Sequence, residues 1–301
     1  MFIKPRFKSK ELKILTALNT RMDLPEKEKQ QYWSLQKGFE GELQFDHRIA
    51  ALETENLVLT DLLLEVSGSV FQIDSLVIFQ DAIYLFEVKN YEGDYYYDGE
   101  KLRTISGKEV KDPLLQLKRS ESLLRQLLNN LGYNFSFRGD VIYIHPEFAL
   151  FHAPKDEPII LPAQLNRFMK KLNNIKSKTS VRNTKLAEKI LSLHLPESPM
   201  ERIHEYEYGM LRKGVFCVEC GGVLSDYKWP SLTCTKCGTQ ENVESAILHS
   251  IEEYKLLFPK EKITTNTIFE WSGYIIPKRT IKPILEKNLK ATGYGQWTYY
   301  E

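Results

Sequence analysis

The sequence predicts an α/β unit built on one main sheet flanked by helices, then a small four-cysteine module and a helical C-terminal module. Three observations carry this. A helical pattern from Pro25 to about Glu55 precedes three runs of branched and aromatic residues, "NLVLTDLLLEV", "SVFQIDSLVIF" and "AIYLFEVKNY". All four cysteines fall between Cys217 and Cys237. At 301 residues the chain is longer than one core usually supports, so several units are expected.

In chain order, residues 1–25 form a basic segment opening with "MFIKPRFKSKELK", and 26–165 the α/β domain. Residues 166–212 read as a basic helical linker, 213–242 as the cysteine module and 243–301 as the helical module. Within the first helix Leu35, Phe45, Ile49 and Leu52 fall close to one face, and Glu42 lies in the same row. A carboxylate there is costly unless paired, although a glutamate at the stripe's edge can also reach solvent. The three runs read as antiparallel strands and "DYYYDG" follows them. Asp112 and Pro113 give a cap and first turn for a helix to about Asn130, after which "DVIYIH" and "EPIILP" read as strands. Arg167 to Lys189 holds eight basic residues and one acidic, which suits a phosphate-binding arm or a solvated helix face.

A formal charge of +1 excludes a uniformly basic protein, while 42% hydrophobic and 27% charged residues are ordinary for a folded chain. The N-terminus lacks a secretory signal and no stretch approaches the ~20 apolar residues of a membrane span, so a cytoplasmic protein without a membrane partner is expected. With no phosphate-loop glycine pattern an ATP-driven motor is excluded, and the six histidines have no metal spacing.

If the second and third strands turn at Gln80 and Asp81, Phe79 faces Ala82 and Asp74 faces Glu87, with Lys89 on the same face as Glu87. Facing like charges destabilise a sheet, so the pair points to a cation between them, and hard oxygen ligands favour Mg²⁺ or Mn²⁺. A metal beside an ammonium suits phosphodiester hydrolysis.

These residues resemble the nuclease-related domain family, NERD, through "GFEGE" at 38–42, "QID" at 72–74, "EVKNYEG" at 87–93 and "DPLLQ" at 112–116. The resemblance covers about residues 38–152 and implies a restriction-endonuclease-like mixed sheet flanked by helices. It further implies Asp74 and Glu87 as metal ligands, Lys89 as catalytic lysine, Glu42 as an extra carboxylate and Gln116 as a polar residue near the scissile phosphate. A metal-dependent deoxyribonuclease is thereby expected, with DNA as partner and a homodimer as assembly. A non-catalytic adaptor that binds nucleic acid, and a ribonuclease, are the competing readings.

Cys217-x-x-Cys220 and Cys234-x-x-Cys237, thirteen residues apart, are spaced as two knuckles closing a tetrahedral Zn²⁺ site, with Gly221 and Gly238 permitting the turns. A redox pair or an iron–sulfur cluster is the alternative. Four thiolates leave no open position, so the zinc would be structural. In the tail a helix, a short helix from about Thr264, a turn at Gly273, a third helix and an aromatic strand pair resemble a winged helix-turn-helix. There Lys278, Arg279, Lys282 and Lys287 would contact DNA, while Pro283 should kink the third helix or delay its start.

Overall fold

The computed structural model describes residues 1–196 and 204–301. The chain runs through β1 (Phe2–Lys4), α1 (Lys10–Arg21), α2 (Glu26–Ala50), β2 (Leu57–Val66), β3 (Ser69–Ile78), β4 (Ala82–Lys89), β5 (Gly93–Asp98) and β6 (Lys101–Thr104). It continues through α3 (Pro113–Asn130), β7 (Ser136–Tyr143), β8 (Phe148–Phe151), β9 (Ile159–Ile160), α4 (Pro162–Asn173) and α5 (Val181–Ser192). Then come β10 (Leu224–Lys228), β11 (Ser231–Cys234), β12 (Gln240–Asn242), α6 (Val243–Leu257), α7 (Thr265–Trp271), α8 (Lys278–Asn288), β13 (Ala291–Thr292) and β14 (Tyr299–Tyr300). Two compact units result: Met1–Lys8 with Ser34–Glu201, and Ser9–Trp33 with Arg202–Glu301.

The first unit is centred on a sheet of order β1-β2-β3-β4-β7-β9. Strands β2, β3 and β4 are antiparallel, whereas β1, β7 and β9 join in parallel, so the sheet is mixed. Alternation along each strand sends successive residues to opposite faces. One face packs Leu59, Leu76 and Leu85 with Leu117 and Leu124 of α3 and Leu186 and Ile190 of α5. The other packs Val58, Val77 and Phe86 with Phe45 and Ile49 of α2 and Leu165 and Phe168 of α4. Each such side chain contributes ~1.5–3 kcal/mol on burial, which sandwiches the sheet firmly between helices. As expected, Asp112 caps α3 by accepting from the Leu114 amide at 2.9 Å, with Pro113 in its first turn.

The second unit holds the antiparallel sheet β10-β11-β12, then α6, α7 and α8 and the short pair β13-β14. Its core includes Leu224, Leu232, Ile247, Ile268, Trp271, Ile281 and Leu285, with Leu18 of α1.

Four expectations need revision. Of the linker expected over 166–212, residues 197–203 lie outside the described residues, and the part up to Ser192 is packed: in α4 and α5, three- and four-residue spacing of Leu165, Phe168, Leu172, Leu186 and Ile190 buries one stripe of each helix on the sheet. Nor are residues 1–25 one segment, because β1 extends the main sheet while α1 belongs to the second unit. Helix α2 stops at Ala50 rather than near Glu55, as the amides of Glu53 and Thr54 turn to Asn173 Oδ1 at 2.7 and 3.3 Å. Helix α8 starts at Lys278 despite Pro283, whose ring is exposed while Ile281, Ile284 and Leu285 hold the buried stripe.

Candidate active site and four-cysteine centre

The β3-β4 turn has the anticipated register: the Phe79 amide donates to the Ala82 carbonyl at 2.9 Å, and the ladder runs to Ser75 opposite Phe86. One step further, a side chain takes over from the backbone: Asp74 Oδ2 accepts from the Val88 amide at 3.0 Å. Asp74 is 5% exposed and Glu87 3%. Burial and then the Asp74 charge push the Glu87 carboxyl up to about 7. Asp74 is also raised by its burial. Burial alone would lower Lys89, but Glu87 and Asp74 outweigh it and hold the ammonium above its ordinary pKa. Its Nζ stands 2.5 Å from Oε1 of Glu87. That contact is a buried ion pair, the ammonium 19% and the carboxylate 3% exposed.

Glu42 reaches the same region from α2. A Cβ on Gly41 would lie 2.4 Å from Cβ of Asn90, so only glycine lets the helix sit this close to the end of β4. Burial first, and Asp74 second, push Glu42 up to about 8, against the pull of Arg6. Arg6, 7% exposed, meets Glu42 Oε2 with Nη1 at 2.5 Å and Asp46 Oδ2 with Nε at 2.8 Å. Gln116 lies half-buried in the first turns of α3, and its side chain makes no hydrogen bond among the described residues.

In the second unit the ligand atoms of Cys217, Cys220, Cys234 and Cys237 all lie within 4.8 Å of one another. Sγ of Cys220 and Cys234 are 3.4 Å apart, and those of Cys217 and Cys237 3.8 Å. Four sulfurs at ~2.3 Å from a tetrahedral Zn²⁺ would be about 3.8 Å apart, so the cluster fits the ion beside β10-β11-β12, as in a zinc ribbon. Left-handed backbone at Gly221 (φ +67) and Gly238 (φ +75) forms both knuckle turns.

Residues 37–147 match the family described as nuclease-related domain. The chain carries a NERD domain. No curated protein and no solved structure matches the chain. The NERD segment supplies Glu42, Asp74, Glu87, Lys89 and Gln116, whereas β1, β9, α4 and α5 of the same unit lie outside it.

Asp74 and Glu87 offer hard oxygen donors, both buried, a donor set that fits a divalent cation. Among the described residues only the cysteines close into a metal-sized group. The carboxylates of the NERD domain are instead held by cations of the chain, Glu42 by Arg6 and Glu87 by Lys89. Sequence reasoning missed Arg6 and Asp46, and it gave Gly41 and Asn90 no role although both stand in the quoted motifs. Gly41 left a signal, a helix-interior glycine that costs about 1 kcal/mol unless close approach needs it. In the tail Lys278, Arg279, Lys282 and Lys287 are all exposed on α8. Lys287 is engaged by Glu244 at 2.7 Å, and Lys282 lies 3.7 Å from Glu286. Among the described residues no helix is long and apolar enough to cross a membrane.

Proposed function

We propose that the chain is a Mg²⁺- or Mn²⁺-dependent nuclease acting on DNA, with its active site in the NERD domain. The observation that carries this reading is the pair of buried carboxylates, Asp74 at 5% and Glu87 at 3% exposure, with the Lys89 ammonium 2.5 Å from Oε1 of Glu87. Two neighbouring carboxylates out of water repel one another and are costly to ionise, so a divalent cation between them would stabilise both. Asp74 and Glu87 would hold the ion, which when bound supplies charge neutralisation at the phosphate and an activated water. The Val88 amide keeps Asp74 aimed in one direction. Lys89 keeps its proton and its charge at neutral pH because both carboxylates favour the ammonium, so it orients the attacking water and stabilises the phosphate rather than acting as a base. Glu42 adds a third carboxylate from α2, and Gln116 an amide free to meet the phosphate backbone. The cysteine centre would hold structural Zn²⁺ in a reducing, cytoplasmic setting, and Lys278, Arg279, Lys282 and Lys287 would add phosphate contacts.

The test is incubation of the zinc-loaded protein with plasmid, linear double- and single-stranded DNA and RNA, in Mg²⁺, in Mn²⁺ and without divalent metal. Metal-dependent cutting of DNA should fall about 10²–10³-fold in Lys89→Ala and at least as far in Asp74→Ala. Binding without cutting on every substrate would leave an adaptor, and cutting confined to RNA would change the substrate class.

A further inference from the structure

The carboxylates of the candidate active site depend on a residue outside the matched family segment. Between Thr60↔Ser75 and Leu62↔Ile73 the β2-β3 ladder passes Asp61, a non-glycine residue in the left-handed region at φ +48. On β3 the residue at this interruption is Asp74, and the β3-β4 ladder has already ended at Ser75↔Phe86. The Asp74 carbonyl is taken by a side chain: Arg6 Nη2 donates to it at 2.7 Å and to Ser75 Oγ at 3.1 Å. The same guanidinium binds Glu42 at 2.5 Å and Asp46 at 2.8 and 3.3 Å. Asp74 is thus fixed at both ends, its carbonyl by Arg6 and its carboxylate by the Val88 amide at 3.0 Å.

We propose that Arg6 is a positioning residue for the active-site carboxylates, holding the backbone of the metal ligand Asp74 and the side chain of Glu42 in one geometry, so that the first eight residues belong to the catalytic unit. This rests on the metal-dependent reading of the site. A planar guanidinium with five donors can reach Glu42, Asp46 and the Asp74 carbonyl together, and an ammonium cannot. Between Lys4 and Arg6 the chain has left β1, whose pairing with β2 from Phe2↔Val58 to Lys4↔Leu59 anchors it. Lys4 Nζ adds bonds to the carbonyls of Thr60 and Asp61, both at 2.8 Å, clamping the segment to the interruption itself. Arg6 touches no reacting atom in this scheme; it acts through Asp74 and Glu42.

The experiment uses the zinc-loaded full chain. Mn²⁺ affinity is read from the free-ion electron paramagnetic resonance signal for wild type, Asp74→Ala and Arg6→Lys, alongside thermal melts and cleavage kinetics. Arg6→Lys keeps a buried cation for Asp46 and should melt cooperatively; if it does not, Arg6→Gln, with two hydrogen-bonding groups, replaces it. The expected result is Mn²⁺ binding weakened about tenfold or more, with kcat reduced and KM for DNA little changed. A folded Arg6 variant with wild-type Mn²⁺ affinity and kcat would overturn the proposal. Wild type binding Mn²⁺ no better than Asp74→Ala would overturn the metal-dependent reading and the proposal with it, an outcome visible before any Arg6 variant is made.

Discussion

Among single residues, the carboxylates differ in how openly the sequence displayed them. Asp74, Glu87 and Lys89 were legible because strand alternation and a two-residue turn at Gln80 and Asp81 fix which residues meet, and all of that is local. Arg6 was not: its partners Glu42 and Asp74 are 36 and 68 positions away, and one arginine in a basic segment resembles its neighbours. Asp140 on β7 was also unforeseen. It is 2% exposed, and burial, opposed by Arg138 at 3.4 Å, pushes its carboxyl up to about 6 from 3.8. A raised carboxyl pKa means that the folded state holds the proton longer than the unfolded state does. The resulting stability is fully present below about 3.8 and lost as pH rises through about 6. Asp140→Asn lacks that loss, so its stability relative to wild type should rise by about 1–2 kcal/mol from pH 5 to pH 8 in urea unfolding. A pH-independent difference would show that Asp140 titrates normally.

Among the elements, helices and strands with clear periods were readable, including the cap of α3 and the tail helices from the Thr264 cap and the turn at Gly273. What the pattern could not supply was the assignment of α4 and α5 to the sheet, because basic residues on their outer faces look the same on a linker as on a packed helix. The approach of α2 to β4 is a finer matter, set at Gly41 against Asn90. Alanine there gains about 1 kcal/mol of helix propensity but places a Cβ 2.4 Å from another Cβ held by the backbone. Gly41→Ala should therefore destabilise by about 1–3 kcal/mol net and displace Glu42, with Asn90→Gly in the same chain recovering most of the loss. Equal urea midpoints for Gly41→Ala and wild type would mean that α2 has slack at this point.

At the scale of the whole molecule, the two units have separate cores, and among the described residues the four-cysteine group lies in the second. Calorimetry should resolve two transitions. Cys234→Ser should lower only the one belonging to the cysteine-bearing unit, on the order of 10 °C or more, and reduce bound zinc. Unchanged zinc content, or both transitions moving together, would count against this division. The sequence disclosed the cysteine module plainly, since four ligands in two knuckles are a local pattern, but gave no sign that α1 joins that unit. Arg21, on α1, lies 232 positions from Glu253, whose Oε2 it meets with Nη2 at 2.5 Å, and its guanidinium stacks 3.7 Å from the ring centre of Trp271. The interleaving shapes how the protein is born. At ~5–20 residues per second the ribosome takes roughly 10–50 s to travel from α1 to the end of α6. All that while Ala17 and Leu18 wait on a nascent helix whose partner α6 does not yet exist, although strand β1 just upstream is paired once β2 emerges. During synthesis, that greasy face is one a chaperone would shelter until its partner arrives.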